Sequence, residues 1–141
     1  MDNSTPYRAF EYDARVRQTI PFYDTIHTQV IRLVKAAKPE VGCWIDTGCG
    51  TGHLVQQALP VFPSARFILA DPSEAMLGQA RSRLSGASAG RITIASPAGT
   101  VDLEKHLPLG SADVITAIQC HHYFHEPERL AALKTCHALL R

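Results

Sequence analysis

The sequence has almost no net charge, no long apolar run and no hydrophobic leader. Its 14 Lys and Arg residues nearly balance 13 Asp and Glu residues, which leaves a formal net charge of +1. Nucleic-acid-binding domains are usually strongly basic, so the charge gives no strong signal for such a partner. The longest apolar stretches span a few residues, whereas a membrane-spanning helix needs about 20. The N-terminal segment is polar, so we expect no membrane association and a cytoplasmic location.

Cysteine is scarce and shows no pairing pattern. The four cysteines, Cys43, Cys49, Cys120 and Cys136, are irregularly spaced and form no C-x-x-C pair. This pattern excludes a disulfide scaffold and, in a cytoplasmic chain, predicts free thiols. The 141 residues are 45% apolar, which suffices for the core of one domain and excludes disorder as the main state.

Helical and strand-like segments alternate along the chain, with glycine and proline at the joints. Helices are predicted where apolar residues recur every three to four positions, and strands where short apolar runs are continuous. The alternation predicts an α/β domain over residues 21–141, with helices on both faces of a parallel sheet, preceded by an N-terminal arm over residues 1–20. The predicted strands are 41–45, 66–70, 91–95 and 112–118, and the predicted helices are 21–38, 53–59, 72–84 and 127–140.

The spacing of apolar residues also predicts which side of three helices faces the core. The predicted inward residues of the first helix are Ile26, Val30, Leu33, Val34 and Ala37. Those of the helix over 72–84 are Met76, Leu77, Ala80 and Leu84. Those of the last helix are Leu130, Leu133, His137 and Leu140.

A glycine-rich segment, Asp46-Thr-Gly-Cys-Gly-Thr-Gly-His53, follows the first predicted strand and opens a helix. Glycines there let a ligand approach the backbone, and the helix N-terminus favours a negatively charged group. A tight turn without a ligand is the plain alternative. The dinucleotide fingerprint G-x-G-x-x-G needs its third glycine where His53 stands, and the phosphate-loop pattern lacks its GK[ST] ending.

The segment Trp44-Ile-Asp-Thr-Gly-Cys-Gly-Thr-Gly-His-Leu54 resembles motif I of the class I S-adenosylmethionine (SAM) dependent methyltransferases. Residues 68–77 resemble the family's segment after strand two, 112–124 its strand-four motif, and 130–141 the helix that follows. The resemblance implies a Rossmann-like three-layer α/β/α sandwich with a mostly parallel sheet in the strand order 3-2-1-4-5-7-6. The chain ends after the fourth strand, so we expect a form that lacks the last three strands.

The resemblance implies a SAM-binding site that uses residues after each strand. The motif-I loop supplies the first group, and Asp71 is expected to bind the ribose hydroxyls, with Gln119 near the methionine end. The family often has an acid near the adenine, where this sequence has Ser96-Pro-Ala98. The implied cofactor-binding residues are Asp46, Thr47, Gly48, Cys49, Gly50, Asp71, Pro72, Met76, Pro97, Ala98 and Gln119.

Two of these residues also have plain structural explanations. Asp71-Pro72 matches a helix start, with Asp71 as the N-cap and Pro72 at the first helical position. Met76 lies on the apolar face of its helix, where core packing explains it as well as contact with the adenosine does.

The implied reaction transfers the SAM methyl group to a small molecule or an RNA base and leaves S-adenosylhomocysteine. A non-catalytic SAM-binding fragment and an NAD-dependent oxidoreductase are the alternatives. His121, His122 and His125 are candidate general bases, although packing or exposure also explains them, and no catalytic residue is assigned. Together with Cys120 and Glu126 they offer metal ligands, but zinc spacing is absent, so no metal is expected.

The predicted arm carries Tyr7, Tyr12, Arg17 and, just beyond it, Tyr23. This pattern resembles the lead-in of a methyltransferase subgroup that includes enzymes acting on SAM-derived groups for tRNA wobble uridines. The resemblance implies that the aromatic rings close over the SAM methionine and that Arg17 pairs with a carboxylate. A surface arm with half-buried aromatics is the alternative.

The fourth predicted strand is apolar, yet the resemblance places it at an open edge once the last three strands are absent. Unpaired apolar edges favour pairing with another chain. We therefore expect a homodimer formed around this strand or its flanking helix.

Overall fold

The computed structural model describes residues 5–86 and 90–141, which form one parallel sheet with helices on both sides. The strands are β1 (Cys43–Thr47), β2 (Arg66–Ala70), β3 (Ile92–Ile94) and β4 (Val114–Thr116). The α-helices are α1 (Tyr12–Thr19), α2 (Tyr23–Ala37), α3 (His53–Ala58), α4 (Glu74–Leu84) and α5 (Glu126–Leu139), with short 3₁₀ helices at Thr100–Lys105 and His121–Tyr123. Sequence periodicity missed α1 and both 3₁₀ helices.

The strand order is β3-β2-β1-β4, and every pairing is parallel. This is the first part of the order expected for a Rossmann-like sheet, so the predicted fold class is confirmed. β2 has the predicted bounds, whereas β4 is shorter than the predicted strand over 112–118. Ala112 makes only an isolated bridge to Leu140.

Alternate residues of β1 point into two cores, one on each face of the sheet. Trp44, fully buried, joins Phe67 in the larger core, which α3 and α4 cover. Ile45 joins Leu103 and Leu139 in the smaller core, beneath the 3₁₀ helix and α5. The two-residue period of a strand thus places successive side chains of one short segment into both layers.

The predicted inward face is confirmed for α4, where all four residues are buried. It is wrong for α5, because Leu130 and Leu133 are 54% and 55% exposed. Its inner face is instead formed by Ala132, Thr135 and Leu139. For α2 the prediction holds in part, because Val30 and Val34 are partly buried against the larger core. Leu33 is 69% exposed and Ala37 is exposed, and the buried residues are Tyr23, His27 and Ile31.

Among the described residues, β4 has a strand partner on one side only, namely β1. On the other side, the residues just before β4 pair with the segment after α5, because the N–H of Arg141 donates to the carbonyl of Ala112 at 3.0 Å. No helix in the described parts of the chain is long and apolar enough to cross a membrane. The homodimer stays a prediction, and the exposed leucines of α5 lie on the helix that flanks this edge.

Candidate functional site

A cavity of about 280 Å³ lies outside the carboxyl ends of the strands. Ligands of open parallel sheets bind at this place. Its floor combines the loop after β1, the turn after β2 and the segment after β4, and its other side is formed by α1 and α2. The lining includes Tyr12, Tyr23, His27, Asp46, Gly48, Cys49, Gly50, His53, Asp71, Pro72, Met76, Gly99, Thr100, Gln119, Cys120, Tyr123 and Phe124.

The loop after β1 owes its shape to glycines in the left-handed region. Gly48 has φ +63°, and a Cβ atom there would lie 2.4 Å from the Cβ of Cys120. Gly50 has φ +53° but faces open space. The loop is fixed to β2 by the N–H of Cys49, which donates to the carbonyl of Ala70 at 3.1 Å. The sequence thus builds a cradle whose backbone is bare where it meets the cavity.

Asp71 follows β2 and links the two neighbouring turns. Its Oδ2 accepts from the N–H of Gly50 at 2.9 Å, and its Oδ1 accepts from the N–H of Ser73 at 2.9 Å. The N-cap of α4 is Ser73, whose Oγ accepts from the N–H of Met76, so the N-cap interpretation of Asp71 is wrong. A carboxylate has about four acceptor positions. Asp71 lines the cavity, where a carboxylate is a suitable acceptor for hydroxyl groups of a ligand.

Asp46 lies beneath the loop at the end of β1 and is almost fully buried. Its Oδ1 accepts from the hydroxyl of Thr116 at 2.7 Å, and that hydroxyl accepts from the indole N–H of Trp44 at 2.9 Å. Burial raises the pKa of Asp46 to about 7, the Thr116 hydrogen bond lowers it, and the nearby charge of Asp71 raises it further. The core tryptophan thereby helps to orient a carboxylate that faces the cavity.

Three of the predicted site residues lie outside the cavity lining. Thr47 is buried and its hydroxyl bonds to that of Thr100 at 2.7 Å. Pro97 is exposed, and Ala98 turns its N–H to the carbonyl of Asp71 at 3.1 Å. The wall expected from Pro97 and Ala98 is formed instead by the two residues that follow them. The other eight predicted residues do line the cavity.

The candidate bases after β4 are dispersed. The Nε2 atom of His121 lies 3.1 Å from the hydroxyl of Thr100, and burial lowers the pKa of this imidazole. His122 lines a second cavity of about 120 Å³, which shares Tyr12, Gln119 and Tyr123 with the first. His125 is exposed at the start of α5. In the described parts of the chain, no group of three or more His, Cys, Asp or Glu is arranged to hold a metal ion.

Gln119, between the two cavities, has φ +55°, a left-handed backbone that is uncommon outside glycine. Cys120 next to it packs against Gly48, and burial raises the pKa of its thiol to about 12. Burial likewise raises the pKa of the Cys49 thiol. Both thiols are therefore protonated near neutral pH and are poor nucleophiles.

Helix α1, which lies within the predicted arm, packs against the loop. Asp13 in α1 accepts from the hydroxyl of Thr51 at 2.7 Å and pairs with Arg83 of α4. Arg83 also donates to the Thr51 hydroxyl at 2.9 Å. Tyr12 and Tyr23 line the cavity. Arg17 binds a carboxylate of this chain, Asp24, at 2.9 Å.

Two histidines that sequence reasoning missed also line the cavity. His27 comes from α2 and His53 from the start of α3, and their Nδ1 atoms are 3.3 Å apart. A lone histidine in an amphipathic helix, such as His27, carries no sequence signal for a site. His53 served only to show that the third glycine of the dinucleotide fingerprint is absent.

Comparison with known proteins agrees with this geometry. The family model described as "Methyltransferase domain" matches residues 45–141. A trans-aconitate 2-methyltransferase from Acidovorax sp. (strain JS42) is 38% identical over 81 residues, which are 56% of this chain and 31% of that protein. The chain thus spans about a third of this curated relative.

Solved structures share the fold at lower sequence identity. The N-methyltransferase NodS from Bradyrhizobium japonicum WM9, in complex with S-adenosyl-L-homocysteine, superposes with a TM-score of 0.71 at 20% identity. The match covers 86% of this chain and 58% of NodS. An O-methyltransferase family protein from Burkholderia thailandensis gives a TM-score of 0.63 at 21% identity, covering 84% of this chain and 38% of that protein.

The bare glycine cradle and the carboxylate after β2 fit an adenosyl cofactor with a ribose diol. The match to the methyltransferase model extends over more than half of the chain and agrees with this site. The chain belongs to the methyltransferase family that this domain model describes.

Proposed function

We propose that the chain binds SAM in the cavity above β1 and transfers its methyl group to a small-molecule acceptor. One observation carries this proposal: the glycine loop at 48–50 and the carboxylate of Asp71 meet at one edge of the sheet, joined by a hydrogen bond of 2.9 Å. SAM supplies a sulfonium methyl group that is already a strong electrophile.

The residues of this chain mainly hold and orient the reactants. Asp71 accepts the ribose hydroxyls, and the bare backbone of Gly48 and Gly50 lies along the methionine part. Tyr12 and Tyr23 on the opposite wall exclude water. Fixing two reactants in line supplies about 7–11 kcal/mol of the barrier in well-oriented systems.

The name of the curated relative supports a small acceptor. That relative, trans-aconitate 2-methyltransferase, shares 38% of residues over the matched region, and the net charge of +1 offers little attraction to RNA. trans-Aconitate is therefore the first acceptor to test, with tRNA as the contrasting one.

The proposal is tested by calorimetry with S-adenosylhomocysteine and NAD, followed by turnover of methyl-labelled SAM with each acceptor. We expect S-adenosylhomocysteine to bind, NAD not to bind, and label to pass to the small acid. Binding without turnover in the presence of either acceptor favours the second candidate, a non-catalytic SAM-binding protein. Binding of NAD alone contradicts both.

A further inference from the structure

A chain of hydrogen-bonding side chains runs from α1 to the wall of the cavity. The Nε2 atom of His53 lies 3.4 Å from a terminal guanidinium nitrogen of Arg17 and 3.3 Å from the amide nitrogen of Gln57. The Nδ1 atom of His53 lies 3.3 Å from Nδ1 of His27. His27 is 3% exposed and lines the cavity.

The donors at one end of this chain determine where the protons are. A guanidinium has only donors, and the amide nitrogen of Gln57 is also a donor, so Nε2 of His53 must accept. The single proton of a neutral His53 is then on Nδ1. A carboxylate oxygen of Asp24, 3.6 Å from that Nδ1 atom, favours the proton there. His53 therefore donates to Nδ1 of His27, whose own proton must be on Nε2.

Both imidazoles are held in the neutral form. Burial, and then the neighbouring His53, lowers the pKa of His27 to about 4. Burial and the charge of Arg17 lower the pKa of His53. Because Nδ1 of His27 is occupied by His53, Nε2 is the ring nitrogen that remains to bond a ligand in the cavity.

We propose that Arg17 and Gln57, acting through His53, fix His27 as a neutral hydrogen-bond donor that binds a carboxylate or another anionic oxygen in the cavity. The Tyr23 ring packs edge-on against His27 with centroids 4.7 Å apart. None of the described residues that line the cavity is a lysine or an arginine. An anionic group at this wall is thus held by the uncharged N–H of His27.

The assignment favours a carboxylate acceptor, and this inference rests on the proposed methyl transfer. His27 with its proton on Nε2 cannot accept a proton from a nucleophile in the cavity. A carboxylate needs no base: its oxygen forms the bond to the methyl carbon while the sulfur–methyl bond breaks and its electron pair stays on sulfur. No proton is released, and the product is a methyl ester.

The proton positions are tested by long-range ¹⁵N–¹H NMR of the imidazole rings in the ligand-free 141-residue chain near pH 7. We expect His27 to show an unprotonated Nδ1 and a protonated Nε2. In the double variant Arg17→Met/Gln57→Leu both tautomers should be populated. A His27 proton on Nδ1 in the wild-type chain overturns the assignment, and an unchanged tautomer in the double variant overturns the role of Arg17 and Gln57.

The ligand class is tested by titrating the same sample with S-adenosylhomocysteine, its decarboxylated analogue, and acetate added to the S-adenosylhomocysteine complex. A shift of the His27 Nε2–H signal with S-adenosylhomocysteine but not with its decarboxylated analogue assigns the carboxylate to the cofactor. A shift that appears only when acetate is added assigns it to the acceptor. Tight S-adenosylhomocysteine binding with no Nε2 shift in any arm overturns the carboxylate site and leaves the proposed function intact.

A variant pair adds a binding readout. His27→Phe should weaken the carboxylate ligand identified by NMR about tenfold, because one hydrogen bond to a charged group is lost. His137→Phe, at an exposed position on α5, is the control and should leave affinity unchanged. Equal affinity of both variants for that ligand contradicts the role of His27.

Discussion

The carboxylate of Asp71 accepts the backbone N–H of Gly50 at 2.9 Å, across 21 positions of sequence. The bond joins the loop after β1 to the turn after β2, so these two turns of the cavity lining form one unit. The same carboxylate also accepts from Ser73 at the start of α4. A single side chain thereby positions both turns, and it lines the cavity.

Asp71→Ala is expected to weaken S-adenosylhomocysteine binding by about 1–3 kcal/mol, because charged hydrogen bonds to the ribose are lost. Calorimetry measures the effect. The matched control is Asp102→Ala, which removes a carboxylate that pairs with Lys105 on the surface. Equal affinity of the two variants would remove Asp71 from the cofactor site.

The loop glycines are expected to differ in what they tolerate. Gly48→Ala places a Cβ atom against Cys120 and a positive φ on alanine, so urea unfolding should show a larger stability loss than for Gly50→Ala. Gly50→Ala and Gly110→Ala share a positive φ in open space, and each should lose about 1 kcal/mol. Of these two variants, only Gly50→Ala should also weaken S-adenosylhomocysteine binding. The double variant Gly48→Ala/Cys120→Gly should recover part of the loss, and no recovery contradicts the contact.

Asp46 and His27 make the free energy of unfolding depend on pH in opposite directions. The folded pKa of Asp46, about 7, lies above its ordinary 3.8. The native state therefore binds more protons between these values, and its stability falls as pH rises through them. The folded pKa of His27, about 4, lies below 6.5, so its contribution rises with pH in that window.

The variant Asp46→Asn separates the two effects. The stability of the variant relative to wild type should increase between pH 4 and 7, by an amount on the order of 4 kcal/mol for a shift of this size. Urea unfolding at several pH values measures the difference. A difference that stays constant with pH contradicts the raised pKa of Asp46.

The ion pair between Arg83 and Asp13 should support cofactor binding by holding α1 on the loop. Both side chains are largely buried, so Arg83→Met is expected to weaken S-adenosylhomocysteine binding about three- to tenfold. Arg81→Met is the control two positions away, because its pair with Glu74 is exposed. If the two variants bind equally well, the pair does not support the site.

Homodimer formation through β4 and α5 stays a prediction that sedimentation tests. Two copies of one open strand edge are self-complementary, and Leu130 and Leu133 lie on the flanking helix. Leu130→Glu/Leu133→Glu should shift the association to higher concentration. Lys134→Glu, at an exposed position on the same helix, controls for the added charge. A monomeric wild-type chain at high concentration contradicts the prediction.

Sequence reasoning succeeded where a local pattern and the final environment agree. The apolar run of β2 is bounded by polar residues, and its predicted limits match the observed ones. The glycine loop is recognisable from the spacing of its glycines. It failed on α5, because the three- to four-residue spacing fits two adjacent faces. Contact with the 3₁₀ helix over Thr100–Lys105 decides in favour of Ala132 and Thr135.

The missed part of the site depends on contacts between distant segments. His27 gains its role only when the start of α3 is folded beside it, 26 positions later in the chain. The cavity wall after β3 was expected from Pro97 and Ala98 but is formed by Gly99 and Thr100, because the N–H of Ala98 donates to the backbone carbonyl of Asp71. Neither contact has a signature in local sequence.

The central claim is that the loop over residues 46–52 holds an adenosyl cofactor. A crystal structure of the chain with S-adenosylhomocysteine tests it most directly. We expect the ribose hydroxyls on Asp71 and the amino-acid part along Gly48 and Gly50. A ligand bound elsewhere, or an empty cleft beside this loop at saturating ligand, would contradict the claim.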